Sequence, residues 1–377
     1  MSGTLAGVSC LVTGASGFVG HRIVQMLLEE EEDLAELRAM DKTLSSQLLQ
    51  TCDRFQSKIQ VKVLEGDIRD EEFLLKSCQG VDLVIHTAAI IDTTGRISQE
   101  TLMSINLHGT ELLLKSCVQN NVPYFIYTSS MEVMGPNTNG DPIVNGHEDL
   151  VYESKLGFFY GESKKQAELA VLQASGRELH NGGFLVTCSL RPTYIFGEGS
   201  QFLQLHLDQA IQNGGVFHRI SKKEALANPV YVGNVAWAHI MAARAIKEPD
   251  TAKKMSGNFY YICDDTPHMS YSDLNHALGR DLGLEVEGKL AMPYPLLYFV
   301  ASMMELVSFL LRPFLRFVPP LTRHLLILLN TTFTFSYKKA HSDMGYKPRY
   351  SWEEARRLTS TWIASILPQR KEELKNK

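Results

Sequence analysis

At 377 residues with 44% hydrophobic side chains, the chain has the material for a large core, which excludes a small disordered binding module. A formal net charge of -5, with no basic stripe interleaved with aromatic residues, excludes a nucleic-acid footprint. The six cysteines are scattered, with no Cys-x-x-Cys and no histidine pair at ligand spacing, which predicts reduced core thiols and no metal.

In chain order, the first apolar run, Val8 to Val12, leads straight into Thr13-Gly14-Ala15-Ser16-Gly17-Phe18-Val19-Gly20. That reads as a strand, a tight turn and a helix, so no cleaved leader is expected ahead of it. Gly14, Gly17, Phe18 and Gly20 form a cofactor-binding turn. Its glycines let backbone amides approach a pyrophosphate at a helix N-terminus, whose dipole favours the charge. The acidic run Glu29 to Asp33 reads as the solvated end of that first helix. Further short Val/Ile/Leu runs at Leu37 to Met40, Val61 to Leu64, Leu83 to His86, Tyr124 to Tyr127 and Leu185 to Leu190 alternate with helical segments. This predicts an α/β, doubly wound parallel Rossmann sheet with a smaller C-terminal substrate lobe.

The expected organisation is a dinucleotide-binding domain over 1–195, to which 228–265 returns, then a substrate lobe over 196–289. An apolar membrane-associated segment over 290–333 and a C-terminal segment over 334–377 follow. Asp41 ends the second predicted strand, where a carboxylate accepts hydrogen bonds from ribose hydroxyls and repels a 2′-phosphate. That predicts NAD rather than NADP, with Arg38 and Lys42 nearby as the counter-argument. Asp67, after the third strand, either bonds the adenine amino group or caps a helix. Ser129 and Ser130 end the strand before Tyr160, and side-chain alternation turns one of the two toward a site. Tyr160 and Lys164 stand one helical turn apart, a spacing that places an ammonium beside a phenol and lowers the phenol's pKa, making a base for an alcohol. From Ala291 to Leu311 the one charge is Glu305, and a second apolar run spans Leu325 to Leu329. Pro293, Pro295 and Glu305 argue against a spanning helix. The stretch is expected to lie on the membrane, with an apolar lid or a surface for another subunit as the alternative.

These residues, with His86-Thr87-Ala88-Ala89, Asn106 in Asn106-Leu107-His108-Gly109-Thr110, and Leu190-Arg191-Pro192, resemble the extended short-chain dehydrogenase/reductase superfamily. Within it the chain resembles the 3β-hydroxysteroid dehydrogenase/Δ5-4 isomerase family. The resemblance rests on Tyr127 to Val133, Asn228 to His239, Cys263-Asp264-Asp265-Thr266-Pro267-His268 and Phe335 to Ala340. It implies that Tyr160 is the catalytic base, Lys164 its partner and a ribose contact, Ser130 the anchor of the substrate hydroxyl, and Asn106 a shaper of the site through the backbone. It further implies NAD as cofactor, a Δ5-steroid as substrate, and residence on endoplasmic reticulum and mitochondrial membranes; monomer and homo-oligomer both stay open. The isomerase step attaches by resemblance to Asp264 and Asp265, whose other reading is that they order the turn before Pro267. The sequence departs from the family at Gly161, which follows the catalytic tyrosine where proline is usual. Tyr152 is not a rival base, since Lys155 lies only three residues on. The stretch Met131 to Thr138 also resembles enzymes acting on 7α-hydroxylated bile-acid precursor sterols. A non-catalytic nucleotide-sensing protein of the same fold is the reading from another class.

Overall fold

The computed structural model describes residues 3–92, 95–136, 139–150, 158–311, 314–315 and 317–375. Short β-branched and apolar runs become seven strands: β1 Ser9–Thr13, β2 Glu36–Asp41, β3 Gln60–Glu65, β4 Leu83–His86, β5 Tyr124–Thr128, β6 Val186–Pro192 and β7 Asn258–Ile262. They form one sheet in the order β3-β2-β1-β4-β5-β6-β7, parallel at every pairing. The order reverses between β1 and β4, and in such sheets the crevice beyond the carboxyl ends at that reversal receives the ligand. The aromatic seventh strand, Asn258-Phe259-Tyr260-Tyr261-Ile262, is one more than the apolar runs predict.

Helices cover both faces, as a parallel sheet requires. On one face α1 (Phe18–Glu30) contributes Ile23 and Leu27 to a core shared with Ala236 and Ile240 of the later helix α4 (Val232–Ala245). On the other, α2 (Gly109–Gln119) and α3 (Phe159–Ala174) bury Leu113, Leu114, Ala167 and Val171 against Phe125 and Tyr127. The acidic run at the end of α1 is less solvated than expected. Glu31 is buried, accepts the Leu5 amide at 2.8 Å and pairs with Arg244 at 2.6 Å, while Glu30 pairs with Arg349. The reason is tertiary: Val232–Ala245 returns a cation to that corner. A third core, built by Phe196, Leu207, Phe217, Tyr231, Leu274 and Ile363, holds the smaller lobe together.

Candidate active site

At the switch point the turn after β1 is built around two positions that cannot carry a side chain. Gly14 adopts φ +71°, and a Cβ there would lie 2.7 Å from the Ala88 amide nitrogen. A Cβ on Gly20 would come within 2.0 Å of the Gly14 carbonyl oxygen, so α1 packs directly on the turn. Gly17 is the N-cap of α1 and provides no side-chain cap, which leaves the first-turn amides for a ligand. Phe18 opens α1 with its ring packed against the smaller lobe's core. These features fit the pyrophosphate of a dinucleotide. Asp41, at the end of β2, accepts the Ser16 amide at 2.8 Å and the Lys42 amide at 2.7 Å, so it braces the turn besides presenting carboxylate lone pairs at the crevice. Asp67 is held by Arg69 at 2.6 Å and Lys42 at 3.2 Å, and these cations, Arg69 first, keep its carboxyl well below the usual carboxylate range. It caps no helix; Asp70 does, accepting the Phe73 amide. Asp41→Ala is therefore expected to weaken both nicotinamide cofactors through the loosened turn. It should also lower the ratio of NAD to NADP efficiency at least about tenfold, roughly 1.4 kcal/mol, as measured by steady-state kinetics with each cofactor.

A hydrogen-bonded chain links this turn to the reaction site. Thr13 Oγ1 meets His86 Nδ1 at 2.6 Å, His86 Nε2 meets Thr110 Oγ1 at 2.9 Å, and Thr110 donates to the Asn106 carbonyl at 2.6 Å. Burial pushes the His86 pKa down to about 3, so the ring is neutral; with Thr110 already donating, His86 carries its proton on Nε2. Asn106 sits in a π-helical turn, Met103–His108, a local widening often found at functional sites. Its amide donates to Ser163 Oγ at 2.9 Å, and Ser163 in turn donates to the Tyr160 carbonyl at 2.7 Å. Asn106 thus holds the first turn of α3 through the backbone.

Tyr160 is buried on that turn, with the Ser130 hydroxyl in hydrogen-bonding reach of its phenol. Ser130 also caps the short turn Met131–Val133, and Ser129 is buried with its hydroxyl unpartnered. Lys164 does not do what its spacing predicts. Its ammonium donates to the Thr128 carbonyl at 2.6 Å and lies 4.2 Å from the centre of the Tyr127 ring. A four-carbon stem lets the charge follow the nearest buried acceptor rather than its helical neighbour. Burial pulls the Lys164 pKa down to about 7, against the support of Glu168. The Tyr160 phenol is pushed above its ordinary pKa, first by burial and then by the charge of Glu132, while Ser130 opposes the shift. Nothing in the residue types around it marks Glu132 as a site residue. Its Oε2 is shut off from solvent without a hydrogen-bond partner, and burial raises its pKa to about 7. Its one sequence signal is its place two residues after Ser130, at the mouth of the sheet.

Asp264 and Asp265 do not join this cluster. Asp264 is buried and accepts the Tyr231 amide, the Asn234 side-chain amide and the Thr266 amide at 2.7–3.0 Å, which fixes the turn before Pro267. Asp265 is exposed and accepts the Tyr337 hydroxyl at 2.8 Å. Both line a cavity of about 600 Å³ with His268, Lys338 and His341, to which neither Tyr160 nor Ser130 contributes. Their hydrogen bonds are spent on architecture. The rival pair Tyr152 and Lys155 lies outside the described residues, as do Asn137 and Thr138 of the Met131 to Thr138 stretch. Among the described residues no group of acidic, histidine or cysteine side chains could hold a metal ion.

Residues 11–294 match the model of the 3-beta hydroxysteroid dehydrogenase/isomerase family. The chain belongs to that family. Among solved structures, gox2253 is similar at 26% identity and a TM-score of 0.69, over 95% of this chain and 98% of that one. DesIV, a dTDP-glucose 4,6-dehydratase from Streptomyces venezuelae with NAD bound, is similar at 18% identity and a TM-score of 0.68, covering 96% and 98%. A UDP-glucuronic acid 4-epimerase variant from Bacillus cereus, solved with NAD and a fluorinated UDP-sugar, gives 17% identity and 0.69, covering 95% and 100%. At these low identities the dehydratase and the epimerase share the fold with this chain.

Proposed function

We propose that this chain is an NAD-dependent oxidoreductase that oxidises the 3β-hydroxyl of Δ5-steroids and isomerises the product to the conjugated Δ4-3-ketone. The observation that carries the reading is the cluster at the end of β5, where Ser130, Tyr160 and a Glu132 of raised pKa, its Oε2 shut off from solvent, converge two strands away from the glycine turn. One site then holds two proton-transfer groups of different character, which two successive reactions need.

Gly14, Gly17, Phe18 and Gly20 would hold the pyrophosphate and Asp41 the ribose, and NAD would supply the two-electron acceptor. Ser130 anchors the substrate oxygen, and Tyr160 takes the proton of the 3β-hydroxyl. Oxidation is helped when Glu132 is protonated, because its charge is what opposes phenolate beyond burial itself. In the second reaction the new 3-ketone acidifies the hydrogens at carbon 4. Glu132 as carboxylate removes one and returns it at carbon 6, which moves the double bond into conjugation. Incubating the protein with NAD and pregnenolone, against 7α-hydroxycholesterol, tests the reading. A Δ4-3-ketone from pregnenolone supports it, and turnover of the bile-acid precursor alone would replace it with the sterol enzyme.

Membrane attachment, on the endoplasmic reticulum and mitochondrion, belongs to the same proposal. The helix α5 (Tyr294–Leu311) is inside out, with Leu296, Phe299, Met303, Leu306, Val307, Phe309 and Leu310 all 41–69% exposed. Its polar groups turn back to the protein: Glu305 pairs with Arg323 at 2.6 Å and Ser308 donates to the Phe317 carbonyl at 2.6 Å. At the other end Lys222 lies 3.9 Å from the centre of the Tyr294 ring. Tethered at both ends to one side, the helix suits an in-plane seat in one leaflet rather than a span. Introducing Phe299→Glu and Leu310→Glu together is expected to weaken binding to phospholipid vesicles at least about tenfold with the fold intact. Unchanged co-sedimentation would place the membrane contact elsewhere.

A further inference from the structure

The helix that carries Tyr160 starts without a cap. The N-cap residue of α3 is Phe158, whose side chain gives no oxygen to the free amides of the first turn. What holds Phe158 is a stack: the His324 imidazole lies face to face with its ring, centroids 4.2 Å apart and planes 4° apart. His324 Nε2 is buried without a partner and burial pushes the imidazole pKa down to about 4, so the ring is neutral and offers Phe158 its face. His324 stands in the first turn of α6 (Arg323–Asn330). Its neighbour Arg323 is fixed to Glu305 of α5 through the backbone amide at 2.7 Å and the guanidinium Nε at 2.6 Å. An unbroken series of contacts therefore runs from the outward apolar face of α5 through Glu305, Arg323, His324 and Phe158 to the turn of Tyr160.

We propose that His324 is a positioning residue for the oxidation: its stack on Phe158 stands in for the missing cap, holds the Tyr160 phenol at Ser130, and is itself fixed when α5 is seated on a bilayer. The proposal rests on the readings of Tyr160 as the base and of α5 as a membrane face. It deepens them by giving the membrane contact a route to the chemistry.

The test uses the full chain in phosphatidylcholine vesicles. His324→Leu keeps an apolar filling but loses the flat face. It is expected to lower kcat for the 3β-alcohol at least about tenfold, with KM for NAD within about twofold, because a small displacement of a reacting group costs rate rather than cofactor binding. His324→Phe restores the face and should return kcat to within about twofold of the unmodified protein. Phe158→Leu removes the same stack from its other side and should reproduce the loss, which keeps the test informative if one variant folds poorly. Glu305→Ala should lower kcat in vesicles toward the His324→Leu value, while His324→Leu itself still binds vesicles. Unchanged kcat in both Leu variants, or a loss in His324→Phe as deep as in His324→Leu, overturns the proposal. If the unmodified protein ignores vesicles while the Leu and Phe pattern holds, the positioning role stands and the bilayer's part falls. If Tyr160→Phe oxidises normally, it is the base assignment that fails.

Discussion

Replacing Tyr160 by Phe is expected to slow oxidation of the 3β-alcohol by about two to four decades while NAD affinity changes little, the range seen when a positioned general base is removed. The ring of Tyr160 is buried, so Phe keeps the packing and deletes only the oxygen that Ser130 approaches. The turn itself is held by Ser163 and Asn106 through the Tyr160 carbonyl, which the substitution leaves in place. A melting temperature near that of the unmodified protein with oxidation lost is therefore the expected pair of results. Near-normal oxidation would remove Tyr160 from the chemistry.

Glu132→Gln should separate the two reactions. With the Δ5-3-ketone supplied directly, isomerisation is expected to fall at least about a hundredfold, in line with loss of a general base, while oxidation stays within a few fold. The pH dependence carries the sign. Burial places the Glu132 pKa at about 7, so isomerisation by the carboxylate should rise with pH through about 7 and level off above it, and that inflection should vanish in Glu132→Gln. The same carboxylate raises the Tyr160 pKa, so removing its charge should move the rising limb of the oxidation profile to lower pH. Asp264→Asn and Asp265→Asn are the controls, and both should isomerise within a few fold of the unmodified protein. Asp264→Asn is expected to lose stability, since its carboxylate accepts three hydrogen bonds in the turn before Pro267. Isomerisation lost in Asp265→Asn and kept in Glu132→Gln would return the shuttle to the aspartates.

The parts of this site legible in the sequence are those set by neighbours in the chain. A glycine turn between a strand and a helix, an acid at the end of the next strand, and a tyrosine on a helix after a serine-ended strand all follow from local spacing. What spacing does not carry is where a long side chain goes once buried. Lys164 lies on the helical face that contains Tyr160, yet its ammonium settles on the Thr128 carbonyl and the Tyr127 ring. Glu132 looks like any acid in a short turn until Tyr160 on α3 and Tyr271 on the smaller lobe close around it. Asp264 and Asp265 stand out by resemblance alone, and apart from the Thr266 amide their hydrogen-bond partners, on Tyr231, Asn234 and Tyr337, are distant in sequence. β7 escaped because its run of aromatics lacks the Val/Ile/Leu signature of the other strands, although aromatic residues suit a pleated surface equally well.

The most direct test of the central claim is one progress curve: full-length protein in phospholipid vesicles with NAD and a Δ5-3β-hydroxysteroid, following NADH and conjugated-enone absorbance together. Both signals should rise in the unmodified protein, both should be lost in Tyr160→Phe, and in Glu132→Gln NADH should form while the enone lags far behind. No NADH with any Δ5-3β-hydroxysteroid, or an enone that keeps pace with NADH in Glu132→Gln, would contradict the claim.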